Sequence, residues 1–142
     1  MAAYACAVSA DASAERLYER VGGREFFVSL VDRFYAGVAT DELLRPMYDE
    51  NLAPARERLA AFLSQYFGGG TEYEDLRGPP MLRARHLRFA IGEQARDAWL
   101  DHMGDALDVA GVSAADRDEL WRYFVQAANF FMNQGGLSIT GG

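Results

Sequence analysis

Side chains that could bind a metal ion through nitrogen or sulfur are scarce in this sequence. It contains two histidines, His86 and His102, and one cysteine, Cys6. A structural zinc site uses four cysteine or histidine ligands and a catalytic site usually three, so zinc is not favoured. The Glu-x-x-His pairs of a di-iron bundle, a glycine-rich phosphate loop and a nucleophile elbow are also missing from the sequence. Elimination leaves haem, because haem iron needs only one protein ligand, such as a neutral imidazole nitrogen.

The first histidine lies in a basic segment, Leu82-Arg83-Ala84-Arg85-His86-Leu87-Arg88-Phe89. Leu82 precedes His86 by four residues, so in a helix the two side chains share a face that could lie against a flat ring. The arginines would point elsewhere and could meet haem propionates. The alternative is a surface histidine in a basic segment. These residues alone leave both interpretations open.

Three aromatic residues with polar groups could contact a bound ligand. Tyr35 closes the apolar stripe of a predicted helix, so its ring should be buried. A buried phenol without a partner costs roughly 1–3 kcal/mol, so the hydroxyls of Tyr35 and Tyr48 should each find an acceptor. O2 on ferrous iron carries partial negative charge and would be such an acceptor, although a backbone carbonyl is the more common one. Trp99, whose indole only donates, is equally compatible with a core position. His102 is interpreted as a helix-edge histidine rather than a second iron ligand.

Apolar residues repeat at three- and four-residue spacing along most of the chain, which predicts an all-α fold. The expected helices cover residues 15–21, 26–38, 41–47, 55–67, 91–110 and the segment after Ser113. Ser13 would open the first of them and Gly22-Gly23 would stop it. No run alternates long enough to predict a strand. Residues 71–81 are predicted to be a loop, and a large ligand is one candidate for holding so long a connection.

Length and composition predict a single domain. We expect a disordered extension at 1–13, one domain at 14–134 and a flexible tail at 135–142. Half of the residues are hydrophobic, which is enough for a core, and the net charge of −7 favours neither nucleic acid nor an anionic membrane as a partner. A single cysteine cannot form an internal disulfide, and no signal peptide or membrane span is visible, so we expect a cytoplasmic protein.

Taken together, these residues resemble the truncated haemoglobins, small bacterial globins with a two-over-two helical sandwich, and most closely their second group. The similarity runs from about Leu17 to Met132. It is carried by the motifs Tyr18-Glu19-Arg20-Val21-Gly22-Gly23, Arg33-Phe34-Tyr35, Leu44-Arg45-Pro46-Met47-Tyr48, Phe62-Leu63-Ser64-Gln65-Tyr66-Phe67-Gly68-Gly69, Leu82-Arg83-Ala84-Arg85-His86 and Arg96-Asp97-Ala98-Trp99-Leu100.

The resemblance implies a haem b (iron protoporphyrin IX) with His86 as the proximal iron ligand. Tyr35, Tyr48 and Trp99 match the distal positions that hydrogen-bond to the iron-bound ligand. Ala55 stands where other globins often keep a distal histidine. The positions that line the haem pocket in the family match Leu59, Phe62, Leu63, Leu82, Phe89 and Ile91. The partners of the propionates match Arg58, Tyr73 and Arg85.

The chain departs from the family pattern at a few positions. Phe67 replaces a usual tryptophan, Pro79 a usual histidine, Ala84 a usual methionine and Arg88 a usual proline. None of them is the iron ligand or a distal position, so the departures concern the loop before the proximal helix and the packing beside it.

The function implied by the resemblance is reversible binding of the diatomic gases O2, NO and CO. Several distal hydrogen bonds would slow ligand escape, which suits storage, sensing or redox detoxification better than bulk oxygen transport. One alternative is a haem enzyme with peroxidase or nitric oxide dioxygenase activity, which would need a reductase partner that the sequence does not identify. Another is a helical interaction module without a cofactor. The oligomeric state stays open, a homodimer included.

Overall fold

The structure, a computed structural model, describes residues 16–77, His86 and residues 91–132. Within these residues a short 3-10 helix, Arg45–Met47, separates the second and third of six α-helices. The α-helices are α1 (Leu17–Val21), α2 (Arg24–Val38), α3 (Ala53–Gly68), α4 (Glu72–Arg77), α5 (Glu93–Asp108) and α6 (Ala114–Phe131). No strand occurs in this part of the chain, so the predicted all-α class is confirmed. Nor is any helix among the described residues long and apolar enough to cross a membrane.

Local sequence signals account for most of the helix ends. Gly22 and Gly23 have φ angles of 116° and 72°, a left-handed backbone that suits glycine, and they separate α1 from α2 as predicted. Ser113 caps α6, because its Oγ accepts the backbone N–H of Asp116 at 3.1 Å. The first helix begins at Leu17 rather than at residue 15, since Arg16 has an extended backbone and its N–H donates to Glu19 Oε1 at 3.2 Å. The predicted cap Ser13 and both predicted terminal segments lie outside the described residues.

The loop predicted for residues 71–81 is wrong over its first part, which forms α4. Tyr73 is only 3% exposed and meets Phe62 of α3 edge-on, with 5.6 Å between the ring centroids. The Gln65 side chain holds the segment from α3, since its oxygen accepts the Glu74 N–H at 3.0 Å and its nitrogen donates to the Glu74 carboxylate at 3.1 Å. A helix of six residues is too short to show a reliable apolar period in the sequence. Its stability depends instead on the contacts with α3.

The core is built around α2, which packs against both α3 and α5, while α5 also packs against α6. Phe27 and Phe34 of α2 are completely buried. The Phe27 ring stacks between Tyr18 of α1, at 5.9 Å, and Phe67 of α3, at 5.6 Å. This aromatic stack joins α1, α2 and α3.

Phe27→Ala should lower the free energy of unfolding by about 3–5 kcal/mol, because it leaves a cavity between the two stacked rings. Urea denaturation followed by circular dichroism measures this loss. Val28, the next residue on α2, is 36% exposed and provides the control. Val28→Ala should change the free energy by less than about 0.5 kcal/mol. Equal losses in the two variants would contradict the assignment of Phe27 to the core.

Candidate functional site

A cavity of about 260 Å³ opens beside the core and is lined by residues from α2, α3, α4, α5, α6 and the 3-10 segment. Most of the predicted site residues lie around it. They are Tyr35, Tyr48, Arg58, Leu59, Phe62, Leu63, Tyr73, His86, Ile91 and Trp99. The predicted residues Leu82, Arg85 and Phe89 lie outside the described part of the chain.

Two tyrosines and one tryptophan bring their polar groups together in the cavity wall. The rings of Tyr35 and Tyr48 meet edge-on with centroids 5.4 Å apart. The hydroxyls of Tyr35 and Tyr48 and the Trp99 N–H, which can only donate, lie close enough to interact. Burial raises the pKa of both phenols above the ordinary value, and the neighbouring Tyr48 raises that of Tyr35 further. Both phenols therefore keep their protons at neutral pH.

His86 belongs to the same cavity lining and is half-buried. Its imidazole stacks on the ring of Phe131, near the end of α6, with centroids 4.4 Å apart and an angle of 18° between the planes. Such stacking restricts the plane of the imidazole and leaves the ring nitrogens at its edge.

The second histidine lies elsewhere. His102 is absent from the cavity lining, and its Nε2 is 2.7 Å from Asp41 Oδ2, in the turn after α2. A histidine bonded to a carboxylate outside the cavity agrees with the prediction of a helix-edge residue.

Several lining residues were not predicted from the sequence. They are Leu44, Met47, Asp49, Asn51, Ala95, Arg96, Tyr123, Phe124, Ala127, Ala128 and Phe131. Ala55, which the resemblance placed where other globins often keep a distal histidine, also lines the cavity. The sequence predicted a helix after Ser113, and Ala128 and Phe131 belong to it. Periodicity reports which residues face inward and does not distinguish a core from a cavity wall, so no signal of that kind could have identified them.

The model of the family described as "Bacterial-like globin" matches residues 16–133 of the chain. The chain is also 40% identical over 117 residues to "Group 2 truncated hemoglobin YjbI" of Bacillus subtilis, which covers 82% of this chain and 88% of the relative. The chain belongs to the group II truncated haemoglobins. The resemblance drawn from the motifs is thereby confirmed.

Solved structures of this family have the same fold. The thermostable haemoglobin from Thermobifida fusca is 49% identical, with a TM-score of 0.81, and the match covers 84% of this chain and 98% of that one. The "truncated oxygen-avid haemoglobin" from Bacillus subtilis is 39% identical, with a TM-score of 0.79, over 84% of this chain and 100% of that one. Membership of the truncated haemoglobins implies a haem cofactor and binding of diatomic gases to it.

The cavity of this truncated haemoglobin fits a haem. Its walls are largely apolar, which suits a flat macrocycle, and His86 is the only histidine among the described residues that line it. In the described part of the chain, no three histidine, cysteine or carboxylate residues come together as ligands for a bare metal ion. One imidazole in an apolar cavity is the donor set that haem iron requires.

The buried phenols predict a loss of stability in alkali. Above about pH 10 the unfolded chain releases phenolic protons that Tyr35 and Tyr48 retain in the native state, so the free energy of unfolding should fall as the pH rises. Each retained proton contributes a slope of at most about 1.4 kcal/mol per pH unit. The double variant Tyr35→Phe and Tyr48→Phe should show a shallower decline. Urea denaturation at several pH values between about 9 and 11 tests this.

Tyr123 has a pKa that burial also raises, and it contributes equally to the wild type and the double variant. The difference between the two proteins therefore isolates Tyr35 and Tyr48. Identical pH dependence in both proteins would contradict the retention of these protons.

Proposed function

We propose that this truncated haemoglobin binds O2 at a haem b (iron protoporphyrin IX) whose iron is ligated by His86, and that Tyr48, Tyr35 and Trp99 stabilise the bound gas. The observation that carries the proposal is that one cavity is lined both by the imidazole and by the three polar rings. When bound, the haem supplies a ferrous iron that binds diatomic gases and places partial negative charge on bound O2. NO and CO are further ligands of the same class.

His86 would hold the iron through a neutral ring nitrogen. The stacked Phe131 ring, 4.4 Å away, fixes the plane of the imidazole and limits its rotation. An imidazole held in one orientation would keep the iron at one place in the cavity, which a hydrogen bond from Tyr48 to the bound gas requires.

Tyr48 would be the direct donor to bound O2. Trp99 N–H can only donate and would bond to the Tyr48 oxygen, which would leave the Tyr48 hydrogen available for the ligand. Hydrogen bonds in a chain polarise one another, which makes the Tyr48 hydroxyl a better donor than an isolated phenol. Tyr35 and Trp99 would then support Tyr48. The resemblance, by contrast, predicted that they bond directly to the gas. Ala55 lines the cavity without a polar side chain and adds no competing contact.

The remaining predicted residues would hold the macrocycle. Leu59, Phe62, Leu63 and Ile91 supply the apolar wall, and Leu82 and Phe89 would extend it. Arg58 and Tyr73 line the same cavity and carry the polar groups suited to the propionates, and Arg85 is proposed as a third partner.

Slow release of ligand is the functional consequence. A hydrogen bond to a charged acceptor contributes roughly 1.5–3 kcal/mol, which acts mainly on the rate of escape. A truncated haemoglobin related to this chain is described as oxygen-avid, which supports the same property here. We therefore propose storage, sensing or redox detoxification rather than bulk transport. Family membership argues against a helical module without a cofactor.

His86→Ala should abolish the spectrum of a ferrous haem with one protein ligand, because the imidazole is removed from the cavity. Absorption spectroscopy of the reconstituted ferrous protein measures this, and added imidazole should restore the spectrum in part. His102→Gln provides the matched control and should retain the wild-type spectrum, since His102 bonds to Asp41 outside the cavity. Equal loss in both variants would refute the choice of ligand.

Tyr48→Phe should speed O2 release by roughly tenfold to a hundredfold, as expected for the loss of one bond to a charged acceptor. Tyr35→Phe and Trp99→Phe should have smaller effects of the same sign, because they act through the Tyr48 hydroxyl. Stopped-flow measurement of O2 dissociation tests the order of the three rates. Tyr18→Phe, which alters a ring stacked in the core, should leave the rate unchanged. An unchanged rate in Tyr48→Phe would refute the distal assignment.

A further inference from the structure

A single carboxylate joins helix α5 to the turn that follows α2. Asp41 Oδ2 lies 2.7 Å from His102 Nε2, and both side chains are largely covered, with 17% and 23% exposed. Asp41 Oδ1 accepts the backbone N–H groups of Leu43, at 2.8 Å, and Leu44, at 3.2 Å. One side chain therefore orders the start of the segment that leads to Tyr48 and attaches that segment to α5.

The segment is ordered from Asp41 as far as Tyr48. The Arg45 N–H donates to the Asp41 carbonyl at 2.8 Å, and the Tyr48 N–H donates to the Arg45 carbonyl at 3.1 Å. The Arg45 guanidinium donates to the carbonyl oxygens of Asp49, at 2.9 Å, and Glu50, at 2.7 Å, and more weakly to that of Tyr48, at 3.3 Å. These hydrogen bonds link the position of Asp41 to that of the Tyr48 backbone.

The same two elements meet a second time inside the cavity. Trp99 precedes His102 on α5 by about one helical turn, and it lines the cavity beside Tyr48, with its N–H close enough to interact with the Tyr48 hydroxyl. Gly37 makes room for the outer contact, because a Cβ at that position would collide with the His102 imidazole. The segment is thus attached to α5 at two points, one at the surface and one in the cavity wall.

We propose that Asp41 and His102 are positioning residues, which hold the Tyr48 hydroxyl in reach of Trp99 and thereby set the rate of ligand escape. This inference rests on the proposed function, in which Tyr48 donates to the bound gas. Without the outer attachment, the segment would lose one of these two attachments to α5. The Tyr48 hydroxyl would then spend part of its time away from the ligand.

The test compares His102→Leu, which removes the contact, with His102→Gln, whose amide N–H can replace Nε2. In the holoprotein, His102→Leu should raise the O2 dissociation rate by about threefold to tenfold, as for the loss of one neutral hydrogen bond. It should also shift the infrared stretch of bound CO in the same direction as Tyr48→Phe, by a smaller amount. Hydrogen exchange at the Leu43 and Leu44 amides should become faster. His102→Gln should restore all three readouts towards the wild type.

Asp41→Ser provides a second variant if His102→Leu folds poorly. A serine hydroxyl can still cap the Leu43 and Leu44 amides but is too short to reach His102. It should reproduce the faster O2 release and the shift of the CO stretch. Asp108→Ala is the matched control, because it breaks the 2.7 Å ion pair between Asp108 and Arg117 at the far end of α5. This control should leave both quantities unchanged.

Two failures can be told apart. If Tyr48→Phe changes O2 release and the CO stretch while His102→Leu and Asp41→Ser leave them at wild-type values, the distal assignment stands and the positioning role is refuted. If Tyr48→Phe itself changes neither quantity, the proposed function fails, and the inference that rests on it fails with it.

Discussion

Interactions at the Tyr48 hydroxyl connect the parts of this molecule that matter for its site. Its neighbours are the Tyr35 hydroxyl on α2 and the Trp99 N–H on α5, while Tyr48 belongs to the segment between α2 and α3. Each of these polar groups lies in an apolar cavity, where an unpaired hydroxyl or indole N–H would be costly. Their proximity lets these groups satisfy one another in place of water.

The helices supply the stiffness on which this group depends. Phe27 stacks between rings of α1 and α3, and Phe34 packs against both Tyr35 and Trp99, with ring centroids 4.9 and 5.0 Å away. The cavity wall beside Tyr35 and Trp99 is therefore backed by fully buried residues. His86, elsewhere in the lining, stacks on Phe131. Burial of a macrocycle of several hundred square ångströms would contribute on the order of 10 kcal/mol before entropy costs. That amount is comparable to the stability of a whole domain, so bound haem would stabilise the cavity walls considerably.

Residues near one another in the chain were predicted well, because local signals act through the backbone of a few neighbours. The apolar period located α2, α3, α5 and α6 to within a few residues. Glycine pairs and the serine cap marked their ends. The ligand candidate and the three polar rings were identified by type and spacing, and the family match confirmed the group to which such spacing belongs. The roles of the individual site residues stay proposals, which the variants of His86, Tyr48 and His102 test.

The sequence by itself determined the helical class, the position of the main helices and the short set of side chains able to carry haem chemistry. Only the tertiary structure decided that residues 72–77 form a helix, that α6 lines a cavity, and that Tyr35 and Trp99 place their polar groups beside Tyr48. It also decided that Asp41 meets His102, a residue 61 positions away. Such contacts depend on how whole helices approach one another, and a period of three or four residues along one helix carries no information about its neighbours.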